Sequence, residues 1–417
     1  MSRLPTDENQ RIQSLDVLRG FALLGILLLN ITYFADHSNA YLNAEGLVGL
    51  DLGVWAFVDV SAEGAMRCLF SILFGAGVVL FTQPEADRDK GTYFKRNLWL
   101  MVFGLVDGFL LLWVGDILFL YGLVALFLYA VRDVRPRRLL IASGVLIVLM
   151  SLQYGLSNFG LGMAQSAYEA YQADPEGASS EIREGAAAWQ EFMQPEGQPS
   201  PSEEIALRTE SYSSAFGWTR IAFTDMLIFV VPFILFWDAL AMMLLGMALY
   251  KYDILQGGRP TQFYLKLGGL GLVVGLLANG SEAYRAYASG FDLLASFPQM
   301  QWSYHFGRLG MAMFWMSLLI LCVKSRWLQK LTSLLAEVGR MALTNYLGQS
   351  LIALILFTGA GFALLGQFSR AQMYAVVIAI WIFQIFFSHF WLRHYRFGPL
   401  EWLWRGLTYG SFPSLRR

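Results

Sequence analysis

The chain has 417 residues, of which 56% are apolar and only 15% charged, and its formal net charge at pH 7 is −1. Many apolar stretches of about twenty residues are typical of a polytopic helical protein in a lipid bilayer, and no soluble core accounts for them. The small net charge argues against nucleic acid as a partner. Cys68 and Cys322 lie in apolar stretches without metal-ligand spacing, so neither a disulfide framework nor a metal site is predicted.

Apolar windows predict ten membrane-spanning helices, which makes residues 1–417 a single all-α transmembrane bundle. Lys and Arg are concentrated in every second loop, and this bias predicts both termini in the cytoplasm. The first span is too long for a removable signal peptide, so it is predicted to be retained. The predicted spans are 15–35, 67–83, 94–113, 115–132, 138–157, 224–250, 264–284, 304–323, 340–358 and 372–392.

The first span and the loop after it carry four polar residues. Asp16 and Arg19 are three residues apart, so they share a helix face and can pair near the predicted cytoplasmic entrance. From Arg19, Asn30 lies about 16 Å along the axis and His37 about 27 Å if the helix continues that far. This spacing indicates a polar passage from an anion-binding group to a general base. The simpler interpretation is that Asp16 caps the helix, Arg19 reaches lipid phosphates and His37 is an ordinary loop residue.

A long polar insertion, residues 157–220, follows the fifth span and is extracytoplasmic in this topology. Acidic residues outnumber basic ones there, and its prolines predict two short amphipathic helices around a proline-rich turn. We interpret the insertion as a solvated cap, with a binding lid as the alternative because it also carries aromatic residues. Residues 397–417 are predicted to form a cytoplasmic interfacial segment that begins with a short helix.

Other ionisable and amide side chains fall within or beside the predicted spans. They would be costly if they faced lipid, so they are predicted to line a shared interior cavity or to pair across helices. Glu63 and Arg67 are spaced as an i,i+4 pair, and a salt bridge that seats the helix end is the competing interpretation for Glu63. His305 is a rival to His37 as general base. The candidate cavity-lining residues are Arg67, Asp116, His305, Arg308 and Asn345.

Several motifs in combination resemble the YeiB-like family of bacterial inner-membrane proteins, and the resemblance covers nearly the whole chain. It implies a multi-pass protein of the bacterial inner membrane. A glycine-containing helix, Gly268 to Gly280, is also compatible with close packing in a homodimer. The motifs that carry the resemblance are Leu15 to Asn30, Phe70 to Gly75, Gly115 to Leu118, Gly339 to Tyr346 and Gly398 to Arg405.

The first helix is also similar to that of the transmembrane acyltransferase superfamily, which includes the lysosomal heparan-alpha-glucosaminide N-acetyltransferases. The similarity rests mainly on Asp16, Arg19, Gly20 and Asn30. It implies transfer of an acyl group, such as acetyl, from cytoplasmic acyl-CoA to an extracytoplasmic glycan or small-molecule acceptor. The O-acyltransferase branch has histidine where this chain has Asn30. The N-acetyltransferase branch has asparagine there and its histidine in the next loop, which corresponds to His37.

Acyl transfer with acyl-CoA as co-substrate would give each candidate a role. His37 would be the general base because imidazole accepts protons near neutral pH, and Asn30 would donate to the oxyanion. Glu63 is preferred over Asp36 and Asp59 as the acid that orients His37. Arg19, paired with Asp16 in the helix, would hold the CoA phosphates together with cytoplasmic Arg or Lys residues. The alternative hypothesis is a transporter or flippase that uses the same residues as a substrate path, and the third is a non-catalytic scaffold.

Overall fold

The computed structural model describes residues 12–38, 40, 46–83, 89–193, 197–297, 300–326 and 328–417. In these residues the chain is almost entirely helical, and the β pairing is one isolated bridge between Tyr395 and Arg416. The helices of the first half are α1 Gln13–Ala35, α2 Gly49–Ser61, α3 Ala65–Thr82, α4 Lys90–Phe109, α5 Leu118–Leu128, α6 Pro136–Ala173, α7 Ser180–Met193, α8 Pro201–Glu210 and α9 Tyr212–Asp225. Those of the second half are α10 Phe236–Lys251, α11 Thr261–Ala288, α12 Leu293–Ser296, α13 Tyr304–Ser325, α14 Gln329–Arg340, α15 Ala342–Phe357, α16 Arg370–His394 and α17 Pro399–Tyr409.

Seven helical segments of the described residues are long and apolar enough to cross a membrane. An eighth is obtained if α14 and α15, which meet at a bend of 79°, form one span. The protein is therefore a polytopic helical membrane protein, and the predicted fold class is confirmed. Each of the ten predicted windows overlaps a helix, and the two outside this set of eight are α4 and the shorter α5. The number ten and the cytoplasmic termini stay predictions.

Helix α5 is too short to cross a bilayer. It has 11 residues and continues as a 3₁₀ turn of 3 residues, Tyr129–Val131, which together span about 21 to 23 Å. The hydrocarbon core is about 30 Å thick, so α5 alone does not cross it, and the backbone before it is the non-helical segment 110–117. Such backbone is tolerated where protein buries it or where it lines a cavity. Its polar groups are bonded here: Trp113 N–H donates to the Asp107 carbonyl at 3.1 Å, and Asp116 accepts from the N–H groups of Leu118 and Phe119 at 3.1 and 2.8 Å.

Loop contacts define two ends of the bundle. At the basic end, where α1 begins, the Lys- and Arg-rich loops bind one another. At the insertion end, α1 finishes beside α8, which belongs to the insertion. The hydrogen bonds that join the basic end are Ser14 Oγ to the Leu255 carbonyl at 2.9 Å, Lys251 Nζ to the Val134 carbonyl at 2.8 Å, Lys324 Nζ to the Gly257 carbonyl at 2.6 Å and Trp404 Nε1 to the Arg96 carbonyl at 2.8 Å.

The basic half of α1 packs against α14 with the two backbones in contact. A β-carbon on Gly20 would lie 1.9 Å from the carbonyl oxygen of Leu335, and one on Gly339 would lie 2.0 Å from the carbonyl oxygen of Asp16. Only glycine fits at either position without moving a backbone. Small residues at a helix crossing maximise van der Waals contact, which stabilises helix pairs in a bilayer.

The predicted insertion is more helical than its polar sequence indicates. Helix α6 continues to Ala173, and α9 begins at Tyr212, so both extend into residues 157–220. Between them, α7 packs on α6 and α8 packs on α9. Helix α9 then runs without interruption through a π-helical segment, Met226–Leu235, into α10.

Candidate functional site

A cavity of about 1640 Å³ occupies the insertion half of the bundle. Its wall is built from α1, α3, α5, α8, α9, the π segment, α10 and the non-helical residues 110–117. Ile26, Leu120 and Ala239 are among its apolar lining residues, so the first turn of the short helix α5 borders the cavity.

All three predicted catalytic residues, Asn30, His37 and Glu63, line this cavity. Of the predicted lining residues, Arg67 and Asp116 do so as well. The structure therefore brings together side chains from α1, α3 and the segment before α5, separated by up to 86 positions in the sequence.

Asp16 and Arg19 are not brought to the cavity. They pair with each other at 3.0 Å near the basic end, where the Arg19 side chain is 30% exposed. Between them and the cavity, α1 contributes Leu23 and Leu27, both 0% exposed. The described structure thus places packed apolar side chains between the guanidinium and His37 rather than an open passage.

A network of charged side chains lies at the cavity wall between α3, α10 and α13. Asp238 binds the guanidinium of Arg308 through both carboxylate oxygens, and its carboxylate is 3.7 Å from Nη2 of Arg67. Arg67 Nη2 donates to Tyr304 Oη at 3.2 Å, and Tyr304 Oη donates to Glu63 at 3.3 Å. Two guanidinium groups and two carboxylates balance one another, which is how ionised groups become tolerable in the membrane.

A close approach of α3 to α13 assembles this network. Gly64 precedes α3 with φ of +64°, and a β-carbon there would lie 2.7 Å from Tyr304 Oη and 3.0 Å from Arg308. Glycine adopts this backbone conformation without steric cost. The absence of a side chain at Gly64 lets Glu63 and Arg67 reach the residues of α13.

Three predicted lining residues lie outside the cavity lining: Arg308, which binds Asp238 from behind it, His305 and Asn345. His305 is 0% exposed, its Nδ1 is 2.7 Å from Arg308, and its ring stacks on Tyr154 with centroids 4.7 Å apart. Asn345 joins α15 to α16 through a 2.9 Å hydrogen bond from Nδ2 to Ser388 Oγ. His305 and Asn345 connect helices at these positions.

Helix α8 holds the segment that contains His37. Glu204 accepts hydrogen bonds from the N–H and Oγ of Ser38 at 2.9 and 2.8 Å. Arg208 donates to the carbonyl oxygens of Asp36 and Tyr33 at 3.0 and 3.1 Å. Hydrogen bonds from α8 therefore fix Asp36 and Ser38, the two chain neighbours of His37. The Arg208 guanidinium also lies at the C-terminal end of α1, where the helix dipole favours a positive charge.

The face of α8 toward α1 is buried while most of its other residues are exposed, so this helix packs on the end of α1 and keeps a solvated outer face. Glu204 and Arg208 are only 4% and 7% exposed and form an ion pair at 2.9 Å. Burial lowers the pKa of the Arg208 guanidinium, and the Glu204 carboxylate opposes that shift. Two sequence signals could have located this helix: the Ser200 and Glu203 capping box at its start, and the i,i+4 spacing of Glu204 and Arg208.

The fold and the cavity define a class, a polytopic membrane protein with a large, partly polar cavity in one half of its helical bundle. Residues 249–411 match the family described as a protein of unknown function, DUF418. The chain is 32% identical to the uncharacterized protein YeiB of Escherichia coli K12 over 96% of each chain. It is 29% identical to the uncharacterized protein YxaH of Bacillus subtilis 168, over 99% of this chain and 98% of that relative. The chain belongs to this YeiB-like family, as its motifs predicted.

Proposed function

We propose that this protein is an acyltransferase of the bacterial inner membrane, which moves an acyl group from cytoplasmic acyl-CoA to an extracytoplasmic glycan or small molecule. The observation that carries the proposal is that Asn30 and His37, selected by a family resemblance, line one cavity with Glu63, the acid chosen by its position before α3. A cavity of about 1640 Å³ has room for an acceptor together with the end of an acyl donor.

The cavity residues would divide the chemistry between them. His37 takes the proton of the acceptor hydroxyl or amine as the oxygen or nitrogen attacks the thioester carbonyl. Asn30 donates to the developing oxyanion, and Glu63 holds the imidazole in position. The new C–O or C–N bond forms, the C–S bond breaks, and the CoA thiolate leaves and accepts a proton.

Delivery of the donor makes a further demand on the structure. Arg19, with Asp16, would hold the CoA phosphates at the basic end, about 16 Å from Asn30 along α1. Leu23 and Leu27 are packed between these positions. The proposal therefore requires α1 to separate from its neighbours so that the pantetheine arm can reach the cavity.

The test is incubation of the purified protein with radiolabelled acetyl-CoA and a panel of periplasmic glycans. We expect His37→Ala to lower acetyl transfer and CoA release by at least about 100-fold, since general bases contribute about 10² to 10⁴. His394→Ala is the matched control, because His394 is exposed at the other end of the bundle. Transfer that survives in His37→Ala, or no transfer to any acceptor, would count against the proposal.

One observation favours transport as a second candidate. The cavity lies in one half of the bundle while the other half is packed. A carrier that is open to only one side of the membrane has this arrangement. Reconstituted in liposomes, a carrier moves its solute chemically unchanged. Acylated product or free CoA would exclude simple transport.

A further inference from the structure

One wall of the cavity belongs to a helix that also faces lipid. The continuous helix Tyr212–Lys251 contains an 18-residue apolar window with a mean hydropathy of 2.4, yet only 39% of that window is buried within the protein. Phe229 and Val230 line the cavity and are 60% and 37% exposed. Their neighbours Ile228 and Phe233 are 54% and 68% exposed and do not belong to the lining. The cavity side and the lipid side of this helix therefore adjoin, so a ligand with a hydrocarbon chain can reach the cavity from the bilayer.

The same wall departs from α-helical geometry. Met226–Leu235 is π-helical over ten residues and contains Pro232. Proline has no N–H to donate, and π-helical turns are frequent at functional sites. This π-helical segment, which is wider than an α-helix, lies where the cavity side of the helix meets its lipid side.

Acidic side chains dominate the charges of the cavity. The described lining residues include seven acidic and three basic side chains, and the excess of carboxylates remains after Arg308, which lies outside the lining, is counted against Asp238. Two of the three basic residues already face carboxylates: Arg67 is 3.7 Å from Asp238, and Arg208 is 2.9 Å from Glu204. Charges interact more strongly in a partly dehydrated cavity than in water. The excess of carboxylates favours a positively charged ligand over an anionic one.

We propose that the cavity binds an amphiphile with a protonated amine at its polar end, whose hydrocarbon chain lies against Phe229 and Val230. This inference rests on the proposed function in one respect, because it names the chemical class of the acceptor. Binding itself requires no acyl transfer, so the two proposals can fail separately.

The test measures radiolabelled dodecyltrimethylammonium binding to the full chain in nanodiscs, with empty nanodiscs as background. We expect dodecyl sulfate, which has the same chain and the opposite charge, to compete at least 10-fold less well. Tetramethylammonium, which has the charge without the chain, should not compete. The inference is overturned if the sulfate competes equally, or if tetramethylammonium competes as well as the long-chain cation.

Two kinds of variant locate the bound probe. Val230→Trp should weaken binding at least 5-fold by filling the apolar wall, whereas Leu265→Trp, on an exposed face of α11, should leave it unchanged. The pair Glu210→Gln and Asp225→Asn removes two exposed carboxylates of the lining and should weaken cation binding, which keeps the test informative if Val230→Trp does not fold. Unchanged affinity in the charge pair would contradict the inference.

A last comparison separates this inference from the catalytic proposal. His37→Ala should retain probe binding while losing transfer. Selective binding without any transfer would remove only the catalytic proposal. Transfer without preference for cationic amphiphiles would remove only this inference.

Discussion

The two halves of α1 have similar hydropathy and opposite surroundings. Around Gly20 the helix touches the backbone of α14, and a β-carbon would have no room. Ten residues later, Asn30 lines a cavity of about 1640 Å³. Apolar content alone does not distinguish a packed helix half from one that borders open space. In α1 the two halves are distinguished by Gly20, which permits the backbone contact, and by Asn30, which lines the cavity.

The halves also differ in what holds them together. In the basic half, hydrogen bonds join the loops, and the helices themselves meet in close van der Waals contact at glycines, as α1 and α14 do. The insertion half relies on ion pairs and hydrogen bonds, in the network around Asp238 and in the contacts of Glu204 and Arg208 with the end of α1. Substitutions that remove one kind of interaction should therefore affect one half first.

The largest effect is expected from Asp238→Ala in the insertion half. It leaves the guanidinium of Arg308, only 1% exposed, without its carboxylate partner. Breaking a buried ion pair in this way costs about 3 to 5 kcal/mol. Thermal unfolding in detergent measures the loss, with Asp133→Ala as the control because its side chain is 82% exposed. The double variant Asp238→Leu with Arg308→Met should recover most of the stability, and no recovery would show that the network does more than compensate charge.

In the basic half, Gly20→Leu should destabilise by about 3 kcal/mol, near the top of the usual range for overpacking, because the clash is with backbone. The matched control is Gly269→Leu, since no atom lies within 4 Å of a β-carbon at Gly269. Loss of folded protein on size-exclusion chromatography and a lower melting temperature are the measurements. Equal melting temperatures for the two variants would contradict the contact between α1 and α14.

A smaller effect is expected from Arg208→Met. The carbonyl oxygens of Tyr33 and Asp36 lose their donor, which costs about 1 to 3 kcal/mol. The Glu204 carboxylate loses its ion-pair partner but, unlike Arg308 in Asp238→Ala, keeps two strong hydrogen bonds, from the N–H and Oγ of Ser38. Amide hydrogen exchange should increase in residues 33–38 and remain unchanged around Gly20. Arg183→Met, an exposed arginine on α7, is the control. Unchanged exchange at 33–38 would mean that α8 does not hold the His37 segment.

The smallest effect concerns pH and the basic end. Glu401 of α17 accepts hydrogen bonds from the N–H of Leu343 and the Oγ1 of Thr344 at 2.7 and 2.6 Å. Burial nevertheless raises the pKa of Glu401 above its ordinary 4.5, so folding favours its protonated form. Its contribution to stability is full below pH 4.5 and is lost as the pH rises through the raised value. The melting temperature of wild type relative to Glu401→Gln should therefore fall as pH increases from 4.5, and a constant difference would contradict the shift.

Hydropathy was sufficient to predict the membrane bundle, because the bilayer demands long apolar helices. It did not predict that α5 stops short, since Leu118 and its neighbours are as apolar as a full span. For the site, Asn30 and His37 were selected by resemblance and Glu63 by its position before α3, and the structure brings them to one cavity.

The rest of the site depends on contacts between distant segments. Asp238 meets Arg308 from 70 residues away, and Glu204 meets Ser38 from 166 residues away. A single sequence contains the charges of these residues but not the distances between them. For the same reason, the sequence did not show that Arg19 is separated from the cavity by packed side chains.

The short length of α5 determines how deep the cavity extends into the bundle. Each extra helical turn at its start would raise the cavity floor by about 5.4 Å. Its first turn also directs a partial positive charge into the hydrocarbon layer, and the Asp116 carboxylate neutralises it there. In relatives of this chain, the number of residues between the equivalent of Asp116 and the arginine-rich loop that follows α5 should therefore set how deep a ligand can enter the cavity.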